Sequence, residues 1–285
     1  MKLADIHILH QSDYYRVVDF KCHCDFCSIT TPEYNNSFSM SFVRKGFFEY
    51  QTFKRRDEMH VGRVLISKPG FEHTTRHIDN QPDIVTIFDF KRSFFEESVL
   101  ETYGSKLPWI LKNNDIHSVM LNATPGHEYL HHRIFQKITS GEYNSLEIDE
   151  LVIDLLEKVM VVLGSTETPE NIPDKLKQHH LGTIEMARAY ILSHFKENIS
   201  LQQLAANCFV SPFHFSRIFK TITGISPHQY LHSVRLTHAK VLLTETYAPV
   251  ADIAYECGFN SLEHFVTSFK KYHKINPSAL REEVG

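Results

Sequence analysis

Six consecutive residues near the N-terminus, Cys22-His23-Cys24-Asp25-Phe26-Cys27, place three thiols in one short span. On an extended strand Cys22 and Cys24 fall on the same side, and a turn after them brings Cys27 round. Three thiolates and one imidazole nitrogen would complete a closed tetrahedral zinc site. His23, His73 and His77 are the candidate fourth ligands. Adjacent His23 points away when Cys22 and Cys24 point together, so His77 or His73 is the better fourth ligand; the metal set expected here is Cys22, Cys24, Cys27 and His77, with Zn as the candidate ion. A structural site, a metal sensor and a thiol-based redox or alkylation sensor all remain open. So do three buried thiols with no ligand, since cysteine is among the most buried residue types.

A second constellation occurs twice. Residues 200–227 read SLQQLAANCFVSPFHFSRIFKTITGISP, and residues 249–277 read PVADIAYECGFNSLEHFVTSFKKYHKINP. Leu204-Ala205 matches Ile253-Ala254, and Cys208 matches Cys257. After one inserted residue in the second copy, Ser211, His214, Phe215, Phe219, Lys220 and Pro227 match Ser261, His264, Phe265, Phe269, Lys270 and Pro277. Two copies are too few for a stacked array, so one supersecondary unit is duplicated. In the first copy Ser200 caps a helix from Leu201 to about Asn207, and residues 208–211 make a turn. Ser211 caps a second helix with Pro212 at its first position. Phe215, Ile218, Phe219 and Ile222 form one buried stripe at i, i+3, i+4, i+7. Phe213, Ser216, Arg217 and Lys220 are left outside, and Gly224 ends the helix. In the second copy Pro249 starts a helix, residues 257–260 turn and Ser261 caps. Phe265, Phe269 and Tyr272 are expected inward; Glu263, His264, Val266, Thr267, Lys270 and Lys271 lie on or beside the outer face.

The chemistry of those outer faces is groove reading. A major groove admits one helix, whose exposed N-terminal side chains reach base edges, while nearby cations and capped helix N-termini hold phosphates. A connecting helix from Pro227 to Thr244 would hold two such helices for successive grooves, about 34 Å apart. The segments SPFHFSRIFKTITGISPHQYL, RLTHAKVLL, ADIAYECGF and HFVTSFKKYHKINPSALR within residues 181–281 make this region resemble the DNA-binding domain of the AraC/XylS family of bacterial transcription regulators. The resemblance implies that Phe213, Ser216, Arg217, Glu263, His264 and Thr267 face bases. The expected DNA-binding set is Ser211, Phe213, His214, Ser216, Arg217, Lys220, Ser261, Glu263, His264, Thr267, Lys270 and Lys271. It also implies promoter DNA and RNA polymerase as partners, a small-molecule or metal effector, a homodimer, and activation as the commoner behaviour. Two positions depart from the pattern. Thr267 stands where the second reading helix often carries Arg, which removes a bidentate guanine contact. Phe209 stands where the second copy has Gly258, so the first turn is expected to be looser or differently shaped if it needs positive φ.

The elements that must position these residues fall into two parts. The formal net charge is −4, but the basic excess lies in residues 180–285 and the acidic excess in the rest. That division suits a modest nucleic-acid binder with salt-sensitive affinity. Residues 14–20 and 38–94 read as strands, with SFSMSFVRKGFFEYQTF forming a hairpin around Lys45-Gly46. Many short strands with Gly, Pro and Asn punctuation suggest a small barrel or sandwich. The family layout implies a cupin-like β-barrel over 10–120 that binds an effector. Helices over 126–163 follow; they either cap their own barrel or dimerise. GSTETPENIPDKLKQ is a polar linker over 164–178. The expected architecture is therefore α+β in two domains: a sensor and dimerisation domain at 1–163 and a helical DNA-binding domain at 179–285, with helix-turn-helix motifs at 200–222 and 249–272.

The N-terminus shows no signal peptide, no run is long and apolar enough to span a membrane, and five cysteines without a secretion signal argue for a reducing cytoplasm. No G-x-S-x-G, P-loop or Rossmann fingerprint occurs. An iron triad drawn from His60, Glu72, His73 and His77 would have arbitrary spacing, so the chain reads as a non-enzyme.

Overall fold

The computed structural model describes residues 4–23, 29–52, 55–78, 82–96, 108–113, 116–141, 143–165 and 174–284. The chain divides into two compact units, Met1–Asn171 and Ile172–Gly285.

The first unit is β-rich. Its strands are β1 (Ala4–Gln11), β2 (Tyr15–Cys22), β3 (Glu33–Asn35), β4 (Phe38–Lys45) and β5 (Phe47–Thr52), then β6 (Arg55–His60), β7 (Arg63–Ser67), β8 (Phe71–His77), β9 (Ile84–Phe90) and β10 (Ser118–Asn122). Six form one antiparallel sheet in the order β1-β2-β9-β4-β7-β10, and four form a second in the order β3-β8-β5-β6. Neither sheet closes on itself among the described residues, so the expected closed barrel is replaced by two open sheets. Val43, Leu65, Val85 and Met120 from the first sheet pack with Phe48, Tyr50 and Met59 from the second, and the core lies between them.

The expected hairpin at Lys45-Gly46 does not form. β4 pairs with β7 and β9, while β5 pairs with β6 and β8. Gly46, at φ +97°, is where the chain crosses from one sheet to the other. β4 does not show the burial alternation of a half-wet strand, because both its faces are covered: Phe38 to Val43 are all buried.

Short helical turns α1 (Arg92–Phe94) and α2 (Trp109–Lys112) precede two long helices, α3 (Pro125–Ser140) and α4 (Ser145–Ser165). Thr124 caps α3 by accepting from the His127 amide, and Gly141 closes it in the left-handed conformation. The outer face of β4 meets α3 directly. His131 stacks on Phe42 with ring centroids 4.7 Å apart, and the Arg44 guanidinium lies 4.1 Å over the Phe135 ring. The Tyr15 hydroxyl donates to Asp149 at 2.6 Å, tying β2 to α4. Leu151, Val152, Leu155, Leu156 and Val159 are buried as the periodicity requires, but Leu146 is exposed, together with Ile153 and Val161.

The second unit is all helical: α5 (Asp174–His194), α6 (Leu201–Asn207), α7 (Pro212–Thr223), α8 (Pro227–Glu245), α9 (Val250–Glu256), α10 (Leu262–His273) and α11 (Pro277–Val284). Helix extends over 164–165 and again from Asp174, so both ends of the expected linker are helical; residues 166–173 lie outside the described residues. Among the described residues no helix is long and apolar enough to cross a membrane.

Burial under α3 has a pH consequence. It pushes the His131 imidazole down to about 3 and the His127 imidazole down to about 4. The unfolded chain takes up these protons near the ordinary value of 6.5, the folded chain only below 4, so stability falls as pH drops through that window. Urea unfolding followed by fluorescence of Trp109, the single tryptophan, is expected to lose about 2 kcal/mol per buried imidazole between pH 7 and pH 5. His131→Phe keeps the stack on Phe42 and is expected to remove about half of that dependence.

Candidate nucleic-acid interface

Both duplicated segments fold into a short helix, a turn and a reading helix. Ser200 accepts from the Gln203 amide at 3.1 Å, and the Gln203 side chain returns to the Ser200 amide at 2.7 Å, a reciprocal cap on α6. Ser211 accepts from the His214 amide at 3.3 Å and Ser261 from the His264 amide at 3.2 Å, so the two reading helices α7 and α10 start alike. Their C-termini also match: Gly224 and Lys274 both adopt the left-handed conformation.

The turns are the same object despite their sequences. Phe209 stands at φ 56° and Gly258 at φ 81°. Val210 donates to the Ala205 carbonyl and Phe259 to the Ala254 carbonyl, each at 3.0 Å. The first turn is therefore neither looser nor differently shaped. A bulky residue occupies the strained conformation there, with its side chain 87% exposed. At Gly258 no side chain fits: an added Cβ would lie 2.7 Å from the Lys196 carbonyl oxygen and 2.9 Å from the Arg235 guanidinium.

Arg235, on α8, is the residue that sequence reasoning missed. Its Nε donates to the Phe195 carbonyl at 2.7 Å, Nη1 to the Gly258 carbonyl at 2.8 Å and Nη2 to the Glu197 carbonyl at 2.6 Å. One planar fork thus satisfies the chain leaving α5 and the turn of the second module together. Its only sequence signal is a cation in the apolar run of α8.

The buried stripes are as expected in α7, where Phe215, Ile218, Phe219 and Ile222 are inside. In α10 Phe265 and Phe269 are inside, but Tyr272 is 40% exposed and does not belong to the stripe. Cys208 and Cys257 are core residues, and burial pushes the Cys257 thiol up to about 12. On the outer surface Ser211, Phe213, His214, Arg217 and Lys220 are exposed on the first module, as are Ser261, Glu263, His264, Thr267, Lys270 and Lys271 on the second; Ser216 and Val266 are half-buried. The two matched histidines also brace the scaffold. The His214 ring lies 5.1 Å from His180 of α5, and the His264 ring 5.3 Å from His232 of α8. The repeated unit thus includes the long helix before each motif.

Of the expected metal residues, Cys22 and His77 come together with Asp83 in one buried group. Cys24 and Cys27 lie outside the described residues. His23 is exposed and pairs with Asp5 at 2.7 Å, facing away as expected. His73 stacks on Tyr50 at 4.6 Å. It sits four residues from His77 along β8, roughly 13 Å on a strand, which separates it from that group. Glu72 is exposed, and His60 is buried beside the Val61 carbonyl; neither joins Cys22 and His77.

Two helix pairs of like design, each carrying a capped reading helix with a wet outer face, define a tandem helix-turn-helix unit. Residues 204–283 match the family model described as a helix-turn-helix domain. The regulatory protein PocR of Salmonella typhimurium is 24% identical over 148 residues, covering 52% of this chain and 49% of PocR. The bifunctional transcriptional activator and DNA repair enzyme AdaA of Bacillus subtilis is 34% identical over 115 residues, covering 40% of this chain and 52% of AdaA. A solved transcriptional regulator with an AraC-type DNA-binding domain, from Chromobacterium violaceum, is 26% identical, with 38% of this chain and 96% of that chain covered and a TM-score of 0.36. Residues 204–283 carry the AraC-type helix-turn-helix domain. The chain spans about half the length of the curated relatives it matches.

Opposite outcomes are expected at the two matched turn positions. Phe209→Gly relieves the left-handed strain at an exposed site and should stabilise the helical unit by about 0.5–1 kcal/mol. Gly258→Ala meets backbone and guanidinium and should cost at least about 2 kcal/mol. Thermal unfolding followed by circular dichroism reads both.

Proposed function

We propose that the chain is a sequence-specific transcription regulator in which α7 and α10 enter successive major grooves of promoter DNA. The observation that carries this reading is the duplicated reading helix. In each copy the apolar stripe is spent on the core, while the N-terminal outer face keeps its polar and cationic residues in solvent. Arg217 is the base reader of the first helix, with its fork suited to guanine. Phe213, 79% exposed, suits a thymine methyl. Glu263, His264 and Thr267 read the second half-site. Lys220, Lys270 and Lys271 bind phosphates, and the Ser211 and Ser261 caps present amide-rich helix ends to the backbone.

The β-rich unit is the sensor in this reading. Its two open sheets, packed face to face, are the support for a cupin-like arrangement. The functional division is 1–163 for the sensor and 179–285 for DNA binding, with α5 beginning in the linker ahead of the latter. Exposed Leu146, Ile153 and Val161 on α4 support dimerisation through that helix. Cytoplasmic action with RNA polymerase as a further partner, most simply as an activator, completes the proposal. Effector binding acts by favouring one of two arrangements with different affinity for DNA.

The test is binding by fluorescence anisotropy to a duplex selected from random sequence, beside an unselected duplex. Arg217→Ala should cost about 1–3 kcal/mol on the selected site and little on the other. Lys270→Ala should weaken both equally and lower the salt slope by about one. An Arg217→Ala loss that is equal on every sequence would demote that residue to a phosphate contact, and failure to select any duplex would overturn the proposal.

A further inference from the structure

The chain ends that meet at one corner of the β-rich unit form a site outside the reading surface. Cys22 is the last residue of β2, His77 the last of β8, and Asp83 directly precedes β9. β2 and β9 are neighbours in the six-stranded sheet, whereas β8 belongs to the other sheet. The backbone locks them in place: the Cys22 amide donates to the Asp83 carbonyl at 2.9 Å, and the Ile78 amide donates to the Phe47 carbonyl at 3.0 Å. One ligand atom from each of Cys22, His77 and Asp83 lies within 4.8 Å of the other two. All three residues are buried.

We propose that Cys22, His77 and Asp83 bind a divalent transition-metal ion, with zinc the natural occupant. Thiolate, imidazole and carboxylate are the three side-chain types that zinc takes. A deprotonated thiol and a carboxylate bring two negative charges into a buried place, which is costly unless they are compensated. One divalent cation makes the set neutral. Zinc bonds of about 2.0–2.3 Å put tetrahedral ligands roughly 3.3–3.8 Å apart, so seating an ion needs about 1 Å of side-chain adjustment, which opens the direct His77–Asp83 contact. Among the described residues three side chains offer ligands, which leaves a fourth position for water or another donor.

Two further observations fit a built site better than a plain buried ion pair. His77 Nε2 contacts Asp83 Oδ1, yet Nδ1 of the same ring is buried with no hydrogen-bond partner among the described residues. The ring nitrogen Nε2 and the carboxylate oxygen thus stand side by side, where one ion would take both in place of their direct contact. Gly46, at the sheet crossing, has φ +97°, and an added Cβ there would lie 2.7 Å from Asp83 Cα and 2.9 Å from Asp83 Cβ. The crossing therefore takes a residue with no side chain and brings Asp83 up against it.

This inference stands apart from DNA binding, and its test does not use DNA. The full-length reduced chain, stripped with chelator, is titrated with Co²⁺. The expected result is about one Co²⁺ per chain with a thiolate-to-cobalt charge-transfer band and tetrahedral visible bands, all displaced by Zn²⁺. Cys22→Ser should abolish the charge-transfer band. Asp83→Asn should keep that band and weaken Co²⁺ at least tenfold. Circular dichroism confirms that each variant is folded; if one is not, the wild-type spectrum and stoichiometry decide alone. A wild-type chain with no thiolate–cobalt band, a folded Cys22→Ser chain whose band is unchanged, or a folded Asp83→Asn chain of undiminished affinity overturns the proposal.

Discussion

A single residue held at positive φ sets the angle between the two helices of each module, and the rest of the helical unit is arranged around that angle. With Phe209 and Gly258 in the left-handed region, the next amide turns back to the carbonyl of Ala205 or Ala254. Those alanines are fully buried, so the short helix and the reading helix approach closely there. Only then do Phe215 and Phe219, or Phe265 and Phe269, reach the interior while the opposite face stays wet. The strain at Phe209 is borne by the cooperative packing beneath it, since an exposed ring contributes little burial of its own.

The two modules are secured by different means. The second is bracketed by Arg235, whose three carbonyl partners come from two separate stretches of chain. The first rests on an aromatic seat. Phe219 meets Tyr230 edge-on at 5.6 Å, and the Arg188 guanidinium lies 5.7 Å from that same ring. A guanidinium fork demands specific oxygen positions, whereas an aromatic contact tolerates small shifts. The two modules share their matched histidine contacts but differ in these further anchors.

Local signals made the helical unit readable from sequence. Caps, prolines at first helical positions and 3.6-residue stripes all act within a few residues of each other. Tyr272 misled because it continues the apolar spacing after α10 has already met its neighbour. Arg235 was invisible for the opposite reason: its partners are backbone carbonyls up to 40 residues away in the chain, and a carbonyl carries no residue-type signature. In the β-rich unit, Lys45-Gly46 between two alternating runs reads as a hairpin, although a sheet crossing needs the same positive φ. The distinction lies in which distant strands are free to pair. The cysteine string drew attention to Cys22 and His77, but Asp83 joins them only through the β2–β9 register, which no local pattern encodes.

The inserted Asn260 has a consequence for symmetry. The turn hydrogen bonds are superposable up to Phe259, but one extra residue then intervenes before the cap, and Ser261 takes φ −150° where Ser211 takes −69°. The second helix therefore leaves its turn along a path of its own. Its outward residues, Glu263, His264 and Thr267, differ chemically from Phe213, Ser216 and Arg217 at the front of the first. On the proposed reading such a surface has a head and a tail: one chain lies on a duplex in a single polarity, and an asymmetric stretch of base pairs suffices to tell it which way to face.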